Sequence, residues 1–198
     1  AERQRLFMRY EALLAEKPEL FGEHDYAADT YAANSVTLLS GDIGIYGKEP
    51  AVLCQLKELM CRAENRVLIH TPYVVGNSYL YEVLREVKQE VPDAVLLLNS
   101  VENGDNFCAS SDYIRNKPDV VATGITLYEY DGGESSHGKS IVIDDTISII
   151  GSYNFDLRST YVDTELMLVI ESREFTAELT EQMEKLEEKS RVGVSRDE

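Results

Sequence analysis

No stretch of the sequence stays apolar for the roughly 18 residues that a membrane-spanning helix needs, so no transmembrane helix is expected. Glu2, Arg3 and Arg5 charge the N-terminus and no apolar core follows them, which predicts no secretory leader. The first residue is Ala1 rather than Met, as in a piece of a longer protein or a processed chain. Cysteine is scarce and odd in number: Cys54, Cys61 and Cys108. Without a leader, this predicts reduced thiols in a cytoplasmic setting. Cys54 and Cys61 stand seven residues apart in a stretch with helical periodicity, share a face, and read as core packing. Positive charge is also scarce. Nineteen Lys and Arg against 36 Asp and Glu leave a net charge of -17. Such a chain repels nucleic acid and anionic surfaces at long range, and no basic stripe offsets this. No set of His, Cys and Asp has metal-ligand spacing, so neither a metal nor another cofactor is expected. Of the three histidines, His24 and His70 have no partner at a useful spacing and read as ordinary residues.

Residues 2–16 carry Leu6, Tyr10, Leu13 and Leu14 on one side of a predicted helix. Residues 17–34 read as irregular. Together, 1–34 form a helix with a linker or arm, and 35–198 the main domain. From about Val36 strands and helices alternate. A helix over 50–64 opens on Pro50. The short strand 67–70 ends in Thr71-Pro72-Tyr73. A second helix starts near Ser78, taken as its N-cap, and runs to Val91. The strand 95–98 ends at Asn99-Ser100. Beyond a polar loop, Pro118 is expected to break the next helix. Strands follow at 125–130, 139–143, 147–150 and 165–170. An amphipathic helix over 174–189 carries Phe175, Leu179, Met183 and Leu186; its acidic polar face is the wrong sign for a membrane anchor. The alternation predicts an α/β fold, an αβα sandwich with a central mixed sheet flanked by helices.

His137 and Lys139 stand two apart, so on an extended segment both side chains point to one side. An imidazole can attack phosphorus or move a proton near neutral pH. A neighbouring ammonium can stabilise nonbridging phosphate oxygens as charge builds on them. Asp144 follows, then Gly151-Ser152-x-Asn154, where a hydroxyl and an amide can donate to the same phosphate. Glu165 lies on the last strand. A carboxylate bonded to one imidazole nitrogen fixes the tautomer and raises the basicity of the other. Taken alone, His137 and Lys139 are more often two surface residues on a strand; Gly151, Ser152, Asn154 and Glu165 in register weigh against that reading. Tyr73, Asn99, Ser100 and Arg158 are candidate pocket residues, each with a plain structural alternative: core-edge packing, capping of a turn, or an ion pair.

The run HGKSIVIDDTISIIGSYNFDLRS resembles the C-terminal motif of the phospholipase D superfamily, H-x-K-x4-D-x6-G-S-x-N, and meets it from His137 to Asn154. Six fixed positions at fixed spacing make this a specific signal. Thr71-Pro72-Tyr73, LLLNSVENGD, GITLYEY and NFDLRST are similar to stretches of bacterial cardiolipin synthases, and the likeness spans about 35–190.

The resemblance implies a phospholipase D-like fold and a phosphodiester-cleaving or phosphatidyl-transferring activity, through a histidine–phosphate intermediate. It implies that Lys139, Asn154 and Ser152 hold the phosphate. Glu165 would orient His137 through a carboxylate–imidazole hydrogen bond, while Asp144 and Gly151 are structural. It implies a phospholipid substrate and allows peripheral membrane contact; the acidic net charge argues against nucleic acid. Members normally carry two H-x-K motifs in one site, and this chain has one. The missing half is therefore expected from upstream in the same polypeptide or from a second copy; in two-motif relatives the first-half histidine is often the nucleophile, which would leave His137 as general acid and base. The alternatives are a single-motif endonuclease active as a homodimer, and a non-catalytic partner half.

Overall fold

The computed structural model describes residues 2–23, 25–44 and 46–194; His24 lies outside them. Contacts divide the chain into two units, one ending at Tyr31 and one beginning at Ala32. In the first, α1 (Glu2–Glu16) buries no residue, and Leu6, Tyr10, Leu13 and Leu14 are all exposed. Pro18–Phe21 form a 3-10 turn, and Phe21 meets Tyr10 edge to face at 5.3 Å.

The second unit runs β1 (Ser35–Ser40), α2 (Ala51–Met60), β2 (Arg66–His70), β3 (Val74–Val75), α3 (Ser78–Glu90), β4 (Asp93–Asn99), α4 (Phe107–Val121), β5 (Thr126–Tyr130), β6 (Ser140–Ile143), β7 (Ile147–Gly151), β8 (Phe155–Asp156), α5 (Leu157–Tyr161), β9 (Leu166–Glu171), α6 (Arg173–Glu187) and β10 (Ser190–Val192). Eight strands form one mixed sheet in the order β1-β9-β7-β6-β2-β4-β5-β10. Strands β2, β4 and β5 are parallel and the other pairs antiparallel.

Both faces of the central strands are covered, which is why Val67-Leu68-Ile69 and Val95 to Leu98 are apolar without alternation. Val67, Ile69, Leu96 and Ile141 join the large core with Leu53, Leu56, Leu80 and Leu84 from α2 and α3. On the opposite face Leu68, Val95 and Val142 pack against Met183 and Leu179 of α6. The mixed α/β sandwich is therefore as expected. Towards β1 the α6 face is bare: Val36 and Leu38 on β1, and Leu166 and Leu168 on β9, are exposed.

Several local expectations change. The N-cap of α3 is Asn77, not Ser78, and its side chain accepts from the Leu80 N–H at 3.0 Å. Helix α4 is continuous through Pro118. The ring costs the bond to the Ile114 carbonyl, but the Ala122 N–H closes on the Pro118 carbonyl at 2.9 Å and the helix resumes. The last helix ends at Glu187, and β10 pairs with β5 as an exposed, three-residue edge strand with no apolar run to announce it. The short parallel pair β3–β8 brings the Thr71-Pro72-Tyr73 turn alongside the segment that follows Asn154.

Candidate active site

Residues 131–139 run without regular secondary structure from β5 to β6, and other elements fix their path. Asn99, the last residue of β4, grips the backbone of Ser136 from both ends of its amide. Its Oδ1 accepts from the Ser136 N–H at 2.9 Å, and its Nδ2 donates to the Ser136 carbonyl at 2.8 Å. The Ser136 hydroxyl lies 3.0 Å from Nε2 of His70, which ends β2. His137 follows and is exposed; Lys139 is half-buried. The Lys139 ammonium donates to the His137 carbonyl at 2.9 Å and lies 3.0 Å from Nδ1 of the His137 ring. Burial lowers the Lys139 pKa, against the opposing pull of Glu165, Asp105 and Asp156, which favour its charged form.

Asp144 stands at the far end of β6. It occupies the left-handed region, with φ 49°, which Asp tolerates better than most residues. Its carboxylate accepts from three backbone N–H groups: Glu64 at 2.9 Å, Asn65 at 2.8 Å and Arg66 at 3.0 Å. Burial opposes the charge, but these donors outweigh it and hold the carboxyl below the ordinary Asp range. Asp144 thus fastens the β6–β7 turn to the entrance of β2.

The chain returns on β7 to Gly151. A Cβ there would stand 2.1 Å from the Leu166 carbonyl oxygen, so only glycine lets β7 and β9 meet at this point. Ser152 then bonds across to β9: its N–H donates to the Leu166 carbonyl at 3.0 Å, and its hydroxyl accepts from the Leu166 N–H at 3.0 Å. The same hydroxyl donates to the carboxylate of buried Glu165. This corrects one expectation. Glu165 is bonded to Ser152 and not to His137, because the exposed His137 ring is taken up by Lys139. Glu165 instead acts on Lys139 through its charge.

Asn154 donates from its backbone N–H to the Ser159 hydroxyl at 3.2 Å, and its buried Oδ1 has no partner. Its amide therefore has hydrogen-bonding capacity to spare. Asp156 caps α5 by accepting from the Ser159 N–H at 2.6 Å.

Among the candidate pocket residues, Tyr73 and Arg158 line one cleft of about 440 Å³ with Asn106, Asp112 and Asp156. Burial, helped by Asp156, raises the Tyr73 pKa. Arg158 is exposed and pairs with Asp163 at 2.8 Å, not with Glu165. Ser100 is buried, donates to Asp131 at 3.2 Å and accepts from the Asn103 N–H, so its groups go to the turn.

Sequence reasoning missed His70, which has Ser136 as a partner 66 residues away. The available signal was its place: a polar side chain closing the apolar run Val67-Leu68-Ile69, next to Thr71-Pro72-Tyr73.

Comparisons with known proteins bear on the family and the fold. Cardiolipin synthase A of Cronobacter sakazakii is 27% identical over 130 residues, covering 66% of this chain and 26% of that protein. The major cardiolipin synthase ClsA of Bacillus subtilis is 31% identical over 110 residues, 55% of this chain and 22% of the relative. The chain thus spans about a quarter of the length of these relatives. The phospholipase D family member Nuc from Salmonella typhimurium superposes with a TM-score of 0.64 at 19% identity, over 81% of this chain and all of that one, and so shares the fold. Residues 56–187 match the family model described as cardiolipin synthase, PLD-like domain, and the chain belongs to that family.

Proposed function

We propose that this chain is one catalytic half of a phospholipase D-type enzyme that cleaves or transfers phospholipid phosphodiesters. The observation that carries the reading is the pairing of an exposed imidazole with a half-buried ammonium 3.0 Å away, on a segment that Asn99 and His70 hold at Ser136. In the proposed reaction a histidine of the partner half attacks phosphorus. As the P–O bond breaks, His137 gives its proton to the leaving alcohol oxygen. An incoming alcohol or water then yields its proton to His137, attacks phosphorus and breaks the P–N bond. Lys139 meets the charge on the nonbridging oxygens, with Asn154 and Ser152 beside it.

Two features support a partner half. Three carboxylates, Glu165, Asp105 and Asp156, act on Lys139, so further positive charge from a partner half would favour an anionic phosphodiester. The exposed apolar side chains of Val36, Leu38, Leu166 and Leu168 form a bare patch on the sheet beside Ser152, of the kind that marks a contact surface. Among the described residues no helix is long and apolar enough to cross a membrane, and the proposed contact with lipid is peripheral, from the cytoplasmic side.

The test is a comparison of substrates in the complete protein. Catalytic efficiency on anionic phospholipid in mixed micelles is expected to exceed that on DNA at physiological salt, to survive EDTA, and to vanish in His137→Asn. A preference for DNA favours the endonuclease reading. Loss of activity in EDTA with rescue by a divalent cation contradicts the roles given to Lys139 and Asn154.

A further inference from the structure

Strand β2 reads Arg-Val-Leu-Ile-His, and its three apolar residues are fully buried. Its last residue, His70, is 7% exposed and faces Ser140 across the β2–β6 pair. Filling this place with an imidazole rather than another aliphatic chain is unfavourable unless the ring has polar work to do. Its surroundings show what that work is. Nε2 meets the Ser136 hydroxyl at 3.0 Å. The neighbouring Nδ1–Cε1 edge of the ring lies against Gly138, where a Cβ would stand 2.5 Å from Cε1 and 2.7 Å from Nδ1. The ring therefore touches the residues on either side of His137, one by a hydrogen bond and one by close contact.

We infer that His70 is a positioning residue for the reaction, which sets the place of His137 and Lys139 by holding Ser136 and Gly138. This rests on the reading that His137 and Lys139 handle the phosphodiester. The ring acts through the loop and touches no reacting group. Ser136 is pinned three times, at its N–H and carbonyl by Asn99 and at its hydroxyl by His70. Gly138 is pinned by contact alone. The residue between them is left exposed, with its backbone fixed on both sides. Burial, with the positive charge of Lys139 as a second cause, lowers the His70 pKa to about 4. The ring is uncharged at neutral pH and adds no repulsion to Lys139. A misplacement of about 1 Å in such a site costs on the order of 10²-fold in rate.

Two variants separate the hydrogen bond from the volume. His70→Leu keeps the bulk and removes the bond to Ser136; His70→Gln can place a polar atom near Nε2. In the complete enzyme His70→Leu is expected to lower kcat about 10²-fold with KM for phospholipid nearly unchanged, and His70→Gln to recover most of the loss. A second readout does not depend on activity. In ¹⁵N-labelled chain 1–198, the His137 ring resonances should shift in His70→Leu and, less so, in Ser136→Ala, while the amide signals of α3 stay in place. Unmoved His137 resonances in both variants overturn the inference, as does a fall in KM-side affinity with unchanged kcat. Absence of phosphodiesterase activity in the unaltered complete enzyme counts against the proposed function; the resonances still decide the role of His70. If His70→Leu does not fold, the His137 resonances in Ser136→Ala, which removes the same hydrogen bond, decide the question.

Discussion

The Lys139 ammonium lies 3.0 Å from Nδ1 of His137 and donates to the carbonyl of that same residue. One lysine thus holds the backbone and shares the space of the imidazole beside it. Its charge is kept at a cost, since burial lowers its pKa. Because the folded pKa lies below the unfolded one, the unfolded chain binds the proton more tightly, and stability rises as pH climbs from the folded value to the unfolded. Below the folded value the penalty is fully present. Lys139→Met should therefore lower kcat by about 10²- to 10³-fold while leaving the melting temperature equal or higher. Steady-state kinetics and calorimetry on one preparation check both halves.

The Ser152–Glu165 bond leads to a second prediction. Glu165 is buried at 6% exposure, and the Ser152 hydroxyl is its hydrogen-bond donor. Ser152→Ala leaves a buried carboxylate short of a donor, which costs about 1–3 kcal/mol. For a domain of this size that is a fall of roughly 2–12 °C in melting temperature. Glu165→Gln keeps an acceptor for the serine and removes the charge, so it should unfold later than Ser152→Ala. Thermal melts of the two variants at pH 7 give the order; the reverse order refutes the account.

Asp144 separates stability from chemistry. Its three N–H partners belong to Glu64, Asn65 and Arg66, at the end of the hairpin away from His137. With the folded pKa below the unfolded one, the stabilisation is complete above the unfolded value and disappears as pH falls through the folded value. Asp144→Asn tolerates the positive φ and loses the charge. It should cost about 2 kcal/mol at pH 7, or roughly 4–8 °C, with the gap from the parent closing as the medium is acidified below pH 4. The kcat measured well below the melting temperature should stay within a few-fold of the parent.

The spacing of the motif was legible because it is local. The four residues between Lys139 and Asp144 are strand β6, and the six between Asp144 and Gly151 are a turn with most of β7. A hairpin of fixed length imposes fixed spacing, and Gly151 is required by the approach of Leu166. The α/β layering was legible for a similar reason, since runs such as Ile-Val-Ile at 141–143 can only be central strands. What was not legible is nonlocal. No spacing rule joins His70 to Ser136, or Asn99 to the same residue, across 66 and 37 positions. The expected Glu165–His137 bond failed on a similar point: register gave proximity, but competition by Ser152 and Lys139 for the two partners depends on side-chain placement. Pro118 misled because a single missing N–H on a helix can be bridged by the next turn.

The last prediction concerns what the chain can do alone. Displacement at phosphorus needs a nucleophile on one side and an acid on the leaving-group side, and one imidazole cannot serve both in the same step. Only His137 among the chain's three histidines lies in the motif; His70 is buried behind it. Chain 1–198 by itself should therefore turn over phosphodiesters very slowly, since general acid–base help alone is worth about 10² to 10⁴ in rate and loss of the covalent route adds to that. A second copy could supply the missing imidazole only by an isologous contact that sets two His137 side chains across one phosphate. The bare patch of Val36, Leu38, Leu166 and Leu168 offers apolar area for such a contact, but a net charge of -17 on each copy opposes it. A separate half that brings its own histidine and more positive charge meets both demands. Light scattering on purified 1–198 at micromolar concentration should give a monomer, and phosphodiesterase activity should rise by orders of magnitude when a complementary half with a second H-x-K motif is added. A stable dimer of the chain alone, with high activity that His137→Asn abolishes, would show that two copies suffice.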